Sequence, residues 1–568
     1  DGTTGVEGGC IYPNADHRVF AYDQSDAASK YYTMEIRIQS HLDGPFNFVF
    51  GVNHYHNKSY GDYYVLANTL DMLTTYGGSY PGYFDNTTSP NSQDLSYGTA
   101  AFGEVYYDLM PNLKLTIGLR MNKDDKETHD TSVLFNAGRS SYAPATVHNG
   151  WTRVPTLLSG TDPAVGSDEY ALAELYAPNL LQAALGTPAG SPERLAVNAA
   201  VPVVPQPGET RYLTGSPTKA EWKKPSGRIG LNWQVNDTSM VYAFLSRGYK
   251  PGGFNPAIPP AFQSSSKFTF DPESINAFEI GSKNMFLDGG LMLNGDVFFY
   301  DYKGLQVTRI AHNSSINDNI NARIYGAELE SVWHPETVPA LAVNFSYSFL
   351  HARVKGSQSV DPVNRTGGNS DWVLLENIDP GSQTGINYVA KKSELTAGVI
   401  AAGEGAGAIL PIPGTIDANG IPVYESRTFL GLAGVTTSDG LPVSLDGNKL
   451  PNSPDSSFHL GVAYTWDIAR IAGSVTARWD YYWQSSMYAR EFNTQGDYID
   501  SWDQHNASIT YNSTDGHWTA KLWARNINDS NNITGKYLTS DTSGFYRNYF
   551  LTEPLISGIS VQYHFGQQ

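Results

Sequence analysis

Four sets of charged residues recur at even spacing inside stretches where every second residue is apolar: Glu279 with Lys283, Glu328 with Glu330, Arg478 with Asp480, and Lys114 with Arg120. In an extended chain, even spacing puts both members on one face. Facing water, such a pair is worth at most about 1 kcal/mol; where water is scarce, each charge must be hydrogen-bonded. A second group is aromatic. Tyr249 and Phe254 lie in SRGYKPGGFN, Tyr488 and Phe492 flank Arg490, and Tyr546 lies close to the end of the chain. Aromatic side chains and arginine are the usual anchors of a binding patch, so Tyr249, Phe254, Tyr488, Arg490 and Tyr546 are candidate substrate contacts. The competing reading is a strand exit, bent at Gly248, Gly252 and Gly253, where glycine permits turns closed to other residues.

Other chemistries find less support. His54 and His56 share a face, but two ligands without a third make a weak metal site, and aromatic packing is the better reading. Asp124, Asp125 and Asp130 offer oxygen ligands for Ca²⁺ without the spacing of a calcium loop. No G-x-S-x-G elbow is present, and serine, histidine and aspartate are too scattered to nominate a triad. The single cysteine, Cys10, excludes an intramolecular disulfide framework. We expect no enzyme, no cofactor and no bound metal. A net charge of -19 argues against a nucleic-acid partner, which would require basic patches.

The elements carrying these residues are strands. Aromatics are 12% of the 568 residues, 36 of them Tyr, and charged residues are only 16%, against roughly 25% in a typical soluble domain. Mean hydropathy is -0.34, as expected if half of each strand meets lipid and half meets water. Leu113, Leu115, Ile117, Leu119 and Met121 alternate with Lys114, Thr116, Gly118 and Arg120. The same pattern recurs in Arg228–Val235, Phe458–Trp466 and Ser474–Gln484. It places Leu460, Val462, Val475 and Ala477 outward, with Arg478, Asp480 and Lys114 inward. No apolar run reaches the roughly 18 to 20 residues of a membrane-spanning helix, although a barrel strand shows only about ten residues of alternation.

The connections discriminate between a soluble sandwich and a membrane barrel. Links at His41–Gly44, Met110–Asn112, Asn236-Asp237, Asp288–Gly290, His334–Ala340, Asp467–Ala469 and Asn512–His517 are short. Those ending near Asp94, Lys223, Pro272, Pro454 and Glu553 are longer, with intermediate loops at Ala311–Asp318 and Tyr488–Tyr498. Short and long links alternate, which is the asymmetry of an outer-membrane barrel with tight periplasmic turns and long extracellular loops. The pattern predicts an all-β transmembrane antiparallel β-barrel of about fifteen strands. Residues 31–568 form its wall and 1–30 a fragment of extracellular loop.

Eight segments, in order, resemble the TonB-dependent outer-membrane receptors, most closely those of sphingomonad-like and caulobacter-like bacteria. They include YYTMEIRIQSHLDGPFNFVFGV, GEVYYDLMPNLKLTIGLRMNKDDK, SRGYKPGGFN, PESINAFEIGSKNMFLDGG, DVFFYDYKGLQV, NARIYGAELE, ARNINDS and SGISVQYHF. The resemblance implies a barrel of about 22 strands, of which fifteen are visible, with an N-terminal plug and the first strands lying before Tyr31. It implies that Lys114, Arg120, Glu279, Lys283, Glu328, Glu330, Arg478 and Asp480 face that plug. It also implies capture of a ferric siderophore or similar scarce nutrient at the outer loops, and import driven by the TonB complex through the plug. The expected setting is the bacterial outer membrane and its lipid; a surface lipoprotein partner stays open. The alternatives are a passive porin-like or structural barrel, and a surface binding protein without energy coupling.

Overall fold

The structure, a computed structural model, describes residues 21–67, 82–87, 94–128, 131–136, 151–152, most of 160–200, 204–205, 210–214, 218–255, 268–311, 314–379, 384–405, 427–539, 545 and 547–565. Tyr546, Asp130 and Cys10 lie outside these residues.

Period-two stretches joined by tight turns can satisfy their backbone groups only by pairing with neighbours, and here each pairs antiparallel with the next. The wall begins with β1 (Ala21–Gln39), β2 (Phe46–Ala67), β3 (Asp94–Met110), β4 (Leu113–Thr128) and β5 (Thr218–Asn236). It continues through β6 (Ser239–Lys250), β7 (Glu273–Phe286), β8 (Leu291–Ala311), β9 (Ser314–Trp333) and β10 (Leu341–Val354). It ends with β11 (Ser456–Ile468), β12 (Gly473–Gln484), β13 (Trp502–Ser513), β14 (Trp518–Arg525) and β15 (Ile556–Tyr563). Pairing runs in chain order from β1 to β15. Among the described residues β1 and β15 do not pair with each other. Three short strands, Gly82–Thr87, Thr131–Asn136 and Thr210–Thr214, extend the same sheet beyond the top of β2.

The two faces divide as the alternation requires. On β4, Ile117, Leu119 and Met121 are exposed, while the intervening Thr116 is buried and Arg120 bonds to Asn53 and Asn122. An exposed apolar face on a wall this extensive is a lipid face. Around its lower rim, beside the short turns, stand exposed Phe46, Tyr107, Trp233, Phe286, Trp333, Trp466, Trp518 and Tyr563, an aromatic girdle. On β5 the outward series runs Trp233, Leu231, Ile229, Gly227 and Pro225 before turning charged at Lys223. That is about 26 Å along the strand, matching the apolar band of such barrels. Leu460, Val462, Val475 and Ala477 share the outward parity of Trp466 and Trp479, opposite Arg478 and Asp480.

Two boundaries differ from the sequence pattern. The first strand starts at Ala21, so residues 21–30 pair with β2 and are not loop. The expected loop Ala311–Asp318 is mostly strand, because β8 and β9 extend to Ala311 and Ser314. They do so through a β-bulge between Tyr302 and Leu305. Gly304 there has φ +66; its N–H donates to Asn321 and its carbonyl accepts from Asn319. One extra residue reverses the facing, so Leu305 and Val307 join Tyr302 on the inner side with Ile320, Ala322 and Ile324. Alternation read straight through Gly304 would place them outward.

Among the described residues the α-helices lie in the long loops, where Pro178–Ala184 and Pro192–Ala200 pack around Leu181 and Val197. Among the described residues no helix is long and apolar enough to cross a membrane.

Candidate ligand-binding site at the extracellular mouth

The upper inner face of β8 and β9 is apolar, and an apolar surface inside a polar lumen needs a cover. Leu445 and Leu450 from loop 355–455, and Phe492 from loop 485–501, supply it. Side-chain bonds from Asn448 to the Glu491 carbonyl and from Asn493 to the Lys449 carbonyl tie the two loops together. Arg490 fastens them further. Its Nε and Nη2 donate to Asp497 at 2.7 and 3.0 Å, and its Nη1 to Asp361 at 3.2 Å. Its guanidinium also lies 5.3 Å from the centre of the Phe492 ring. Burial works against the charge of Arg490, but the Asp497 and Asp361 carboxylates outweigh it and hold the group protonated.

Between these loops, the top of β8 and residues 536–539 lies a cavity of about 500 Å³, lined by Arg309, Leu450, Arg490, Glu491, Phe492 and Lys536 among others. Its charges are mostly paired: Arg309 donates to Asp318 at 2.6 Å, and Lys536 donates to the carbonyls of Gly496 and Tyr498. Glu491 differs, because burial pushes its carboxyl above the usual range. The cavity thus offers an aromatic face, aliphatic walls and a buried acid, a mixture suited to orienting an organic ligand.

Of the candidate contacts, Arg490 lines this cavity beside its neighbour Phe492, whereas Tyr488 packs edge-on against Tyr498 in the adjoining hairpin. Tyr249 and Phe254 lie elsewhere on the rim. The Tyr249 hydroxyl donates to Asp124 Oδ2 at 2.9 Å, and Tyr55 donates to Oδ1 of the same carboxylate at 2.9 Å. Phe254 packs between Trp222 and Phe268. Asn255 is buried and exchanges bonds with Asn317 near the extracellular end of β9. Gly252 is demanded by this packing: a Cβ there would meet the Phe270 carbonyl at 2.4 Å and Trp222 at 2.8 Å.

All eight interior candidates stand on the inner face. Arg478 binds Asp480 through Nε (2.9 Å) and Nη2 (2.5 Å), and His459 contacts the same carboxylate at 3.1 Å. Lys114 lies 3.7 Å from Asp108. Glu279 accepts the hydroxyls of Tyr242 and Tyr300. Lys283, Glu328 and Glu330 line a second cavity of about 530 Å³ with Asp296 and His459.

Asp124 and Asp125 cannot share an ion, because they face opposite sides and Asp125 pairs with Lys123 at 3.0 Å. His56 stacks on Tyr32 and meets Tyr97 edge-on. Among the described residues no group of three metal-ligating side chains is found. Asp361, Asp497, Glu491 and Arg309 escaped the sequence reading. Glu491 was adjacent to a candidate, but nothing local marks Asp361 as the partner of an arginine 129 residues later.

A single antiparallel wall with a polar inner face, a lipid-facing apolar band, short turns at one end and folded loops at the other is that of a bacterial outer-membrane β-barrel. The chain belongs to the TonB-dependent receptors: a family model described as TonB dependent receptor-like, beta-barrel matches residues 4–527. Its fold is similar to the ferric yersiniabactin uptake receptor FyuA from Yersinia pestis, at 12% identity, over 96% of this chain and 56% of that one, with TM-score 0.55. It is also similar to the siderophore receptor PiuA from Acinetobacter baumannii, at 13% identity, over 94% and 56%, with TM-score 0.51. The copper transporter OprC gives 11% identity, over 96% and 58%, with TM-score 0.50. This chain therefore spans little more than half the length of these receptors, and at such identities the likeness concerns the fold.

Proposed function

We propose that this chain forms the wall and mouth of a receptor that captures a scarce, bulky nutrient, a ferric siderophore or similar metal chelate, for TonB-driven import. The observation that carries the proposal is the folded mouth. Two loops are locked to each other by Arg490 and packed onto the inner wall, leaving a cavity of about 500 Å³. An open pore would leave that lumen face polar and uncovered. FyuA and PiuA, whose fold is similar, are described as a ferric yersiniabactin uptake receptor and a siderophore receptor, which supports the ligand class.

In this reading Arg490, Phe492 and Tyr488 form one contact region, Tyr249 and Phe254 belong to the same rim, and Tyr546 is a further proposed contact. The inner charges Lys114, Arg120, Glu279, Lys283, Glu328, Glu330, Arg478 and Asp480 face a plug. The test is uptake of radiolabelled ferric chelates by cells producing the native protein, with and without a protonophore. Saturable uptake abolished by the protonophore is expected. Uptake that is unsaturable and indifferent to it would establish the passive-barrel reading instead.

A further inference from the structure

On the outer face of β6 to β10 two successive register rows differ sharply in chemistry. The lower row aligns Leu245, Phe278, Phe299, Tyr325 and His351. Its first four members are exposed, and His351 stacks on Tyr325 at 4.5 Å. Two residues further from the periplasmic turns, the next row aligns Arg247, Asn276, Asp301, Arg323 and Arg353. At a strand spacing of about 4.8 Å it spans roughly 19 Å of barrel surface.

We propose that this row binds the anionic headgroup of an outer-leaflet lipid. Three observations meet there. The row lies directly above the lipid-facing apolar band, so whatever packs against it from the membrane is the headgroup of a lipid whose chains touch Phe278, Phe299 and Tyr325. Arg247 and Arg323 are exposed and, among the described residues, have no carboxylate partner. Arg247 donates to Asn276 at 3.1 Å, and Arg323 lies 5.6 Å over the Phe299 ring. Arg353 and Lys449 share Asp455, at 3.2 and 2.5 Å. Lastly, the patch holds four cations, Arg247, Arg323, Arg353 and Lys449, against two acids, Asp301 and Asp455, on a chain whose net charge is -19.

The contrast with β4 and β5 sharpens the point. Their outward charges above the band are already paired, Lys123 with Glu221 at 2.9 Å and Lys219 with Glu127 at 2.9 Å. Guanidinium is planar and weakly hydrated, and offers two parallel donors to phosphate or carboxylate oxygens. Basic residues just beyond the hydrocarbon are the readable mark of anionic-lipid recognition.

The experiment is native mass spectrometry of the full-length protein purified from outer membranes in detergent, with phosphatidylglycerol or phosphatidylcholine added in equal amounts. Preferential retention of phosphatidylglycerol is expected, reduced at least about fivefold in Arg247→Gln/Arg323→Gln. Arg247→Lys/Arg323→Lys should retain part of it and Lys219→Gln all of it. Excess inorganic phosphate should not displace the lipid. Equal retention of both lipids, an unaltered preference in the Gln double variant, an equal loss in Lys219→Gln, or displacement by phosphate would each overturn the proposal. If the Gln variant fails to assemble, the comparison of wild type, Lys variant and Lys219→Gln decides on the same criteria.

Discussion

Arg490 donates a 3.2 Å hydrogen bond to Asp361, a residue 129 positions earlier in the chain and in a different extracellular loop. With the paired bonds to Asp497, one guanidinium closes two loops over the apolar top of β8 and β9. The bond therefore sets the shape of the mouth, and Arg490 reaches any ligand as part of a fixed frame.

Replacing Arg490 by Ala leaves Asp361 and Asp497 without their cation in a buried setting. Stranding one partner of a buried pair costs about 3–5 kcal/mol. The loss should fall on the loops, because the wall strands make none of these bonds. Hydrogen exchange at residues 355–375 and 485–500 should accelerate markedly in Arg490→Ala, with the heat resistance of the barrel unchanged. Arg490→Lys should recover only part of the protection, since an ammonium cannot reproduce the two-pronged contact with Asp497.

A separate effect is expected at Tyr249. Its hydroxyl and that of Tyr55 share one buried carboxylate, Asp124. Hydrogen bonds to charged groups contribute about 1.5–3 kcal/mol each. Tyr249→Phe should therefore lower the unfolding temperature of the barrel, and Tyr55→Phe similarly. If Tyr249 also touches ligand, its substitution alone should weaken ligand binding to purified protein, with Tyr55→Phe as the stability-matched control.

Much of the wall was legible because a barrel strand must alternate. Leu113–Met121 and Ser474–Gln484 face as their pattern requires, and the short turns lie where Gly, Pro and Asp mark them. Contacts between distant segments were not legible. Tyr249 read as a free rim aromatic because Asp124 lies 125 residues away, and Arg490 as an anchor because Asp361 is equally remote. The bulge at Gly304 was invisible for another reason: one extra residue reverses facing without changing composition, so Leu305 and Val307 gave no sign of lining the mouth.

Gly252 tests whether the rim segment is structural. A methyl group there would have to displace either the Phe270 carbonyl or the Trp222 ring, and the backbone oxygen cannot move cheaply. Overpacking of this kind typically costs about 1–3 kcal/mol. Gly252→Ala should loosen the contact between Trp222 and Phe254, reported by a red shift and greater acrylamide quenching of tryptophan fluorescence. Lys250→Ala, which keeps the glycine, should leave both readings at their wild-type values.

The anchor of loop 355–455 should respond to acid. Burial pushes the Asp455 carboxyl upward, but the hydrogen bonds from Lys449 and Arg353 outweigh it and hold the group below its ordinary value. A carboxyl depressed in the folded state contributes stability that is present above its unfolded pKa, about 3.9, and lost as pH falls through the lower folded value. Lys449 and Arg353 stay charged throughout, so nothing replaces the proton-sensitive partner. Limited proteolysis by pepsin should thus find loop 355–455 protected near pH 4 and increasingly cut at lower pH. In Asp455→Asn the loop should be cut at pH 4 as readily as wild type is in stronger acid, and the pH dependence should flatten. Equal protection of both proteins across the range would show that Asp455 does not hold the loop.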